Sequence, residues 1–231
     1  MPRLLIHVEG ETEEAFVNES LSRHLLACGY EGVSARIIGN ARQRDRRGGI
    51  RPWPSVKQDI VRHLKQDGSC LATIMVDYYA LPQSGDRAWP GRAEASDLPF
   101  EFKSEAVESG LGKDILSEMG WSGSFNNRFI PFVVMHEFEG LLFSDCAAFA
   151  SAIGRPRLAA SFQSIRDKFA TPEEINDSPV TAPSKRVEEL VPGYQKPLLG
   201  NLAALEIGLD AIRAACPHFN SWIIDLEGRC G

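Results

Sequence analysis

The run Leu4-Leu5-Ile6-His7-Val8, followed at once by Glu9-Gly10-Glu11-Thr12-Glu13-Glu14, constrains this chain more than any other segment. Five mostly apolar residues read as a buried strand, and Gly10 permits a tight turn. Thr12 can cap a helix whose apolar residues Ala15, Phe16, Leu21, Leu25 and Leu26 recur at near-helical spacing up to Cys28. A strand that turns directly into a helix is the opening of a β-α unit.

The pattern continues. Val33 to Ile38 is a second strand candidate, Ser55 to Lys65 a helix, Cys70 to Asp77 a third strand, Phe102 to Met119 a helix and Phe129 to Glu137 a fourth strand. Gly140 to Ile153 begins as helix after an acidic turn, and Ala80 to Pro99 reads as a long irregular loop. Beyond Pro156 the periodicity is helical only, around 157–169, 184–190, 198–214 and 219–226. The fold class predicted is α/β: a mainly parallel sheet flanked by helices over residues 1–155, with a C-terminal helical flank, 156–231, packed on it as one structural unit. In such a sheet the ligand site lies beyond the carboxyl ends of the strands, where Glu9 and Asp77 sit.

Composition narrows the setting. The longest apolar stretches fall far short of the roughly 20 residues a membrane helix needs, and acidic residues interrupt the N-terminus before a signal-peptide core forms. A cytoplasmic protein without a membrane partner is expected. The five cysteines are scattered without a C-x-x-C pair, which favours reduced, mostly buried thiols over zinc ligands. A net charge of −6 gives no global attraction for nucleic acid, so such binding must rest on local basic segments or metal ions.

The acidic residues carry the chemistry. Four glutamates lie within the six residues Glu9 to Glu14. First-turn acids complement a helix dipole and are individually ordinary, but together they repel the phosphate that a helix N-terminus attracts unless a cation intervenes. Hard carboxylate oxygens suit Mg²⁺ or Mn²⁺. Glu9 is the foremost ligand candidate, Glu13 its helical companion and Asp77 the partner from the third strand. In His136-Glu137-Phe138-Glu139, strand alternation sends Glu137 and Glu139 to one side, so that one of them completes the site. His136 itself reads as a hydrogen-bonded structural residue.

Val8-Glu9-Gly10-Glu11-Thr12-Glu13-Glu14 resembles the V-E-G-x-T-E-E signature that opens the Toprim domain of overcoming-lysogenization-defect (OLD) family nucleases. Val76-Asp77-Tyr78-Tyr79, His136-Glu137-Phe138-Glu139-Gly140-Leu141-Leu142-Phe143 and Thr181-Ala182-Pro183-Ser184-Lys185-Arg186 extend the likeness nearly end to end, to small bacterial standalone Toprim-like proteins. The resemblance implies a Toprim fold, an Mg²⁺ or Mn²⁺ site at Glu9, Glu13 and Asp77, and phosphodiester cleavage. It further implies a downstream lysine near the phosphate, for which Lys185 and Lys196 are candidates, with Arg186 as a phosphate holder. Tyr79 stands where the second aspartate of Asp-x-Asp is expected, and Glu137 or Glu139 must replace it.

The function expected is therefore a metal-dependent nuclease acting on nucleic acid, DNA ahead of RNA. Arg42, Arg44, Arg46 and Arg47 can track its backbone from a loop, with Arg186 and Lys196. The alternatives are a catalytically degenerate Toprim domain serving as an interaction module, and another phosphoryl-transfer activity. Relatives of this Toprim type resemble effectors of bacterial anti-phage defence that work beside an ABC-type ATPase. This sequence has no G-x-x-x-x-G-K-[ST] motif, so the ATPase would act in trans. A homo-oligomer is also open.

Overall fold

A computed structural model describes residues 1–38, 49–121, 127–176, 178 and 180–230. Four strands, β1 (Arg3–Val8), β2 (Gly32–Ile37), β3 (Cys70–Asp77) and β4 (Phe129–Val134), form a sheet in the order β2-β1-β3-β4. Every pairing is parallel. The α/β architecture read from the sequence is the one observed, and beyond Pro156 the described residues contain helices and no strand.

The strand order decides where a site can form. From β1 the chain runs through α1 (Glu11–Phe16) and α2 (Ser22–Cys28) to β2 on one side of β1. It then crosses by α3 (Trp53–Gln66) to β3 on the other side, and proceeds outward through α4 (Arg92–Ala95) and α5 (Phe100–Met119) to β4. The direction of winding reverses between β1 and β3, and that reversal opens a crevice at their carboxyl ends.

Alternation along the strands splits the core into two layers. One face, with Ile74 and Val76 of β3 and Val133 of β4, packs under Ile60 and Leu64 of α3 and Leu111 and Ile115 of α5. The other, with Ile6 and Val8 of β1 and Phe132 of β4, is covered by Phe16 and Leu25 and by the C-terminal helices. Those are α6 (Phe138–Leu141), α7 (Cys146–Ala152), α8 (Ala159–Arg166), α9 (Pro183–Leu190), α10 (Asn201–Ile207), α11 (Leu209–Ala215) and α12 (Pro217–Glu227). From α12 the Trp222 ring stacks on Phe132 at 4.2 Å between centroids, 7° from parallel, and its indole N–H donates to the Thr73 hydroxyl at 3.0 Å. The helical flank thus forms one wall of the sheet's own core.

Several element boundaries differ from the sequence reading, each for a local reason. The helix expected from Thr12 to Cys28 carries a π-helical turn at Val17–Leu21, where the Ser22 hydroxyl donates back to the Asn18 carbonyl. The segment 198–214 is two helices because Gly208, at φ +80°, breaks it. The 80–99 loop holds short helical turns, with Arg92 reaching the Tyr78 carbonyl. The fourth strand stops at Val134, not Glu137: His136 has φ +63°, and its Nδ1 meets the Ile175 carbonyl at 2.5 Å. That left-handed residue turns the chain into α6.

Candidate metal centre

Glu9 follows the last residue of β1, and Asp77 is the last residue of β3, the strand hydrogen-bonded beside it. The two therefore share the crevice, and Glu9 Oε2 accepts from the Asp77 backbone N–H at 3.4 Å. Glu13, one turn into α1, is buried and accepts the Gly10 N–H on Oε2 at 2.9 Å. This is the carboxylate half of a capping box. Its geometry explains why Gly10 suits the turn: a Cβ there would lie 3.3 Å from the same oxygen.

Glu137 and Glu139 reach the crevice by a route other than strand alternation. With β4 already ended, Glu137 is the extended residue preceding α6, and Glu139 lies in the first turn of that short helix. Asp77 Oδ1 accepts the Phe138 N–H at 2.9 Å, which pins α6 to the end of β3. Glu137 Oε2 accepts the Ser184 N–H at 2.8 Å, at the start of α9. Glu9, Asp77 and Glu137 are each tied down by a main-chain donor from another segment, so these three are held by the fold itself.

One cation enters. Lys196 Nζ lies 3.1 Å from Glu139 Oε2 and 4.0 Å from Glu137 Oε1. Among the described residues, five carboxylates stand against one ammonium, and the proton affinities of Glu9, Glu13, Asp77 and Glu139 are raised. Burial, and then Glu13, push Glu9 up to about 7 against the pull of the Asp77 amide and Lys196. Burial likewise raises Glu13. Asp77 stands well above the usual carboxylate range through burial, Glu9, Glu13 and Glu139. Burial raises Glu139 to about 7 although Lys196 opposes it. Lys196 would be lowered by burial alone, but Glu139, Glu137 and Asp77 hold it above its ordinary value.

Among the described residues, the side chains that bring three ligand atoms within 4.8 Å of one another are His24, Cys28 and Glu227, at the opposite end of α2 from this cluster.

The family model described as Domain of unknown function (DUF4276) matches residues 8–227, which takes in the whole cluster from Glu9 to Lys196. The chain belongs to the DUF4276 family. No curated protein and no solved structure matches it.

Of the residues singled out in this DUF4276 chain from sequence, Glu9, Glu13, Asp77, Glu137, Glu139 and Lys196 come together. Lys185 does not join them: it pairs with Glu188 one turn along the exposed side of α9, at 2.7 Å. Arg186 is spent locally, with Nε on the Thr181 carbonyl, Nη2 on Asn176 Oδ1 and its guanidinium over the Phe169 ring. Arg42, Arg44, Arg46 and Arg47 lie outside the described residues. Tyr79 is half-buried, and its N–H donates to the His136 carbonyl at 3.1 Å, bracing the same strand ends.

The sequence reading missed Tyr194. The residue is 8% exposed and its hydroxyl is buried without a hydrogen-bond partner among the described residues, beside Gly200 and close enough to Glu139 for that carboxylate to raise its pKa after burial does. The available signal was the turn Gly193-Tyr194-Gln195-Lys196, which sets a tyrosine two residues from Lys196.

Proposed function

We propose that this protein is an Mg²⁺- or Mn²⁺-dependent phosphodiester hydrolase, a nuclease of Toprim type acting on nucleic acid, DNA ahead of RNA. The observation that carries the reading is the meeting of Glu9, Asp77, Glu137 and Glu139, from three separate segments, at the β1/β3 crevice with one lysine among them.

The donor set fits the metal. Hard, anionic oxygens are what these divalent ions select, and buried like charges that resist ionisation are relieved by a bound cation. Glu9, Asp77 and an acid of the 137–139 segment would hold the ion, with Glu13 at a second position. Once bound, the ion supplies charge neutralisation at phosphate and acidifies coordinated water. Burial and Glu13 raise the proton affinity of Glu9 in the metal-free chain, and a bound cation would relieve that burden and hold the carboxylate ionised as a ligand. Lys196 offers its ammonium to a phosphate oxygen as that phosphate displaces it from Glu139. The Toprim resemblance and the absence of a phosphate-binding loop in the sequence support an ABC-type ATPase acting in trans, in anti-phage defence.

The test is cleavage of plasmid, single-stranded DNA and tRNA in Mg²⁺ or Mn²⁺, with and without the neighbouring ATPase if one is encoded, by wild type and by Glu9→Ala. Metal-dependent cleavage lost in the variant supports the reading, and equal activity in both proteins would sink it. A second reading, a degenerate Toprim domain that binds metal or nucleic acid without cutting, draws on Tyr79 in the place of a second aspartate. Metal binding without cleavage of any substrate, ATPase present, would favour it.

A further inference from the structure

At the far end of α2, away from the acid crevice, two cysteines remote in sequence meet a histidine and a glutamate. His24 and Cys28 lie four residues apart on α2, hence on one face. Glu227 ends α12, and Cys230 follows three residues later. His24 Nε2 lies 2.6 Å from Glu227 Oε1 and 3.8 Å from Cys28 Sγ. The ligand atoms of these three residues all fall within 4.8 Å of one another. The Cys230 thiol meets that of Cys28 in a side-chain hydrogen bond, and the Cys230 Cβ would lie 3.7 Å from a Cβ on Gly29. Gly29, at φ +118°, lets the chain end approach: a Cβ there would already touch the Cys230 carbonyl at 3.4 Å.

We propose that His24, Cys28, Glu227 and Cys230 form a zinc site that clips the last helix to the first helical layer. One imidazole, two thiolates and one carboxylate are ligands that tetrahedral Zn²⁺ takes. Zinc bond lengths in a tetrahedron separate sulfur from nitrogen by about 3.6 Å and nitrogen from oxygen by about 3.4 Å. The first separation is nearly in place at 3.8 Å, and the second requires the Glu227 carboxylate to draw back from 2.6 Å.

Arg213 shares this neighbourhood and shapes the argument. Its Nη1 lies 2.6 Å from Glu227 Oε1 and 3.3 Å from His24 Nε2, and its Nη2 lies 3.2 Å from Glu227 Oε2. Zinc would displace Nη1 from between the ligands, while Nη2 keeps Oε2 and orients the carboxylate from outside, as partners of metal ligands do. The charges then balance: two thiolates and a carboxylate against Zn²⁺ and a guanidinium. The scattered cysteines, read from sequence as non-ligands, are thereby divided. Cys70, Cys146 and Cys216 are buried thiols, whereas Cys28 is exposed and Cys230 half-buried at this cluster.

Cobalt(II) is the probe, added to the reduced full-length protein after removal of endogenous metal. The expected result is a sulfur-to-cobalt charge-transfer band, with a tetrahedral visible spectrum, that saturates at one equivalent for this site whatever the oxygen-only crevice binds. The band is weakened in Cys28→Ser, abolished in Cys28→Ser/Cys230→Ser and retained in Glu9→Gln, whose site offers only oxygen. Zinc should compete the cobalt away and raise Tm of wild type but not of the double variant, with circular dichroism showing that variant folded. Absence of a thiolate band in wild type, or its persistence in the folded double variant, overturns the proposal.

Discussion

Lys196 Nζ stands 3.1 Å from Glu139 Oε2, an ammonium in salt-bridge contact with a carboxylate whose side chain is 2% exposed. This contact joins the turn after α9 to the start of α6 and sets the charge of the crevice. Replacing Lys196 by Met leaves Glu139 without its donor, at a cost of about 1–3 kcal/mol. Urea denaturation of the metal-free protein should show that loss. Added Mg²⁺ should restore part of it, because the ion then takes over the neutralising role. An unchanged midpoint would mean that the lysine contributes nothing to holding the acids.

The pH dependence of the metal-free protein follows from the carboxylates. Glu9 and Glu139 ionise near 4.5 when unfolded and at about 7 when folded. Between those values the folded chain binds more protons than the unfolded one, so stability falls as pH rises and the loss is complete above about 7. Glu139→Gln should flatten this slope, measured as the urea midpoint against pH. A wild-type slope no steeper than that of the variant would contradict the account.

His7 works in the opposite sense. Burial near the end of β1, then His63 and Arg36, lower its pKa to about 3, and among the described residues its Nε2 has no hydrogen-bond partner. The unfolded chain takes up a proton below 6.5 that the folded chain refuses until about 3, so stability is lost as pH falls through that window. Relative to His7→Leu, wild type should lose about 1.4 kcal/mol per pH unit there. Parallel stability curves for the two proteins would exclude the effect.

The helical flank completes the core, since Phe219, Trp222, Ile223 and Leu226 of α12 are all buried in the layer that contains β1 and Phe132. A fragment ending at residue 155 should expose that face and fail to give a cooperative thermal transition. In the full chain Trp222→Ala should cost about 3–5 kcal/mol. A fragment that unfolds cooperatively would show the sheet to be self-sufficient.

Much of this was legible in the sequence. Buried parallel strands leave continuous apolar runs, so β1 and β3 stood out, and the acids at their ends could be assigned to one edge of the sheet before the order of strands was known. Glu137 and Glu139 were placed at the site for an incomplete reason. Strand alternation was assumed, whereas a left-handed His136 ends the strand and a helical turn delivers them. A non-glycine residue at positive φ leaves no period to read. Lys185 and Lys196 could not be ranked, because which lysine faces the crevice depends on how α9 and its following turn pack on α6. Tyr194 and the meeting of Cys28 with Cys230 are tertiary facts of the same kind. No helix among the described residues is long and apolar enough to cross a membrane, in line with the short apolar runs.

The central claim is that the β1/β3 crevice is a divalent-metal centre, and the most direct measurement is a crystal of the full-length protein soaked in Mn²⁺ with anomalous data collected. The account requires a peak within about 2.5 Å of oxygens of both Glu9 and Asp77, with an acid of the 137–139 segment completing the shell. Absence of a peak there at saturating Mn²⁺, with Lys196 still seated on Glu139, would contradict it.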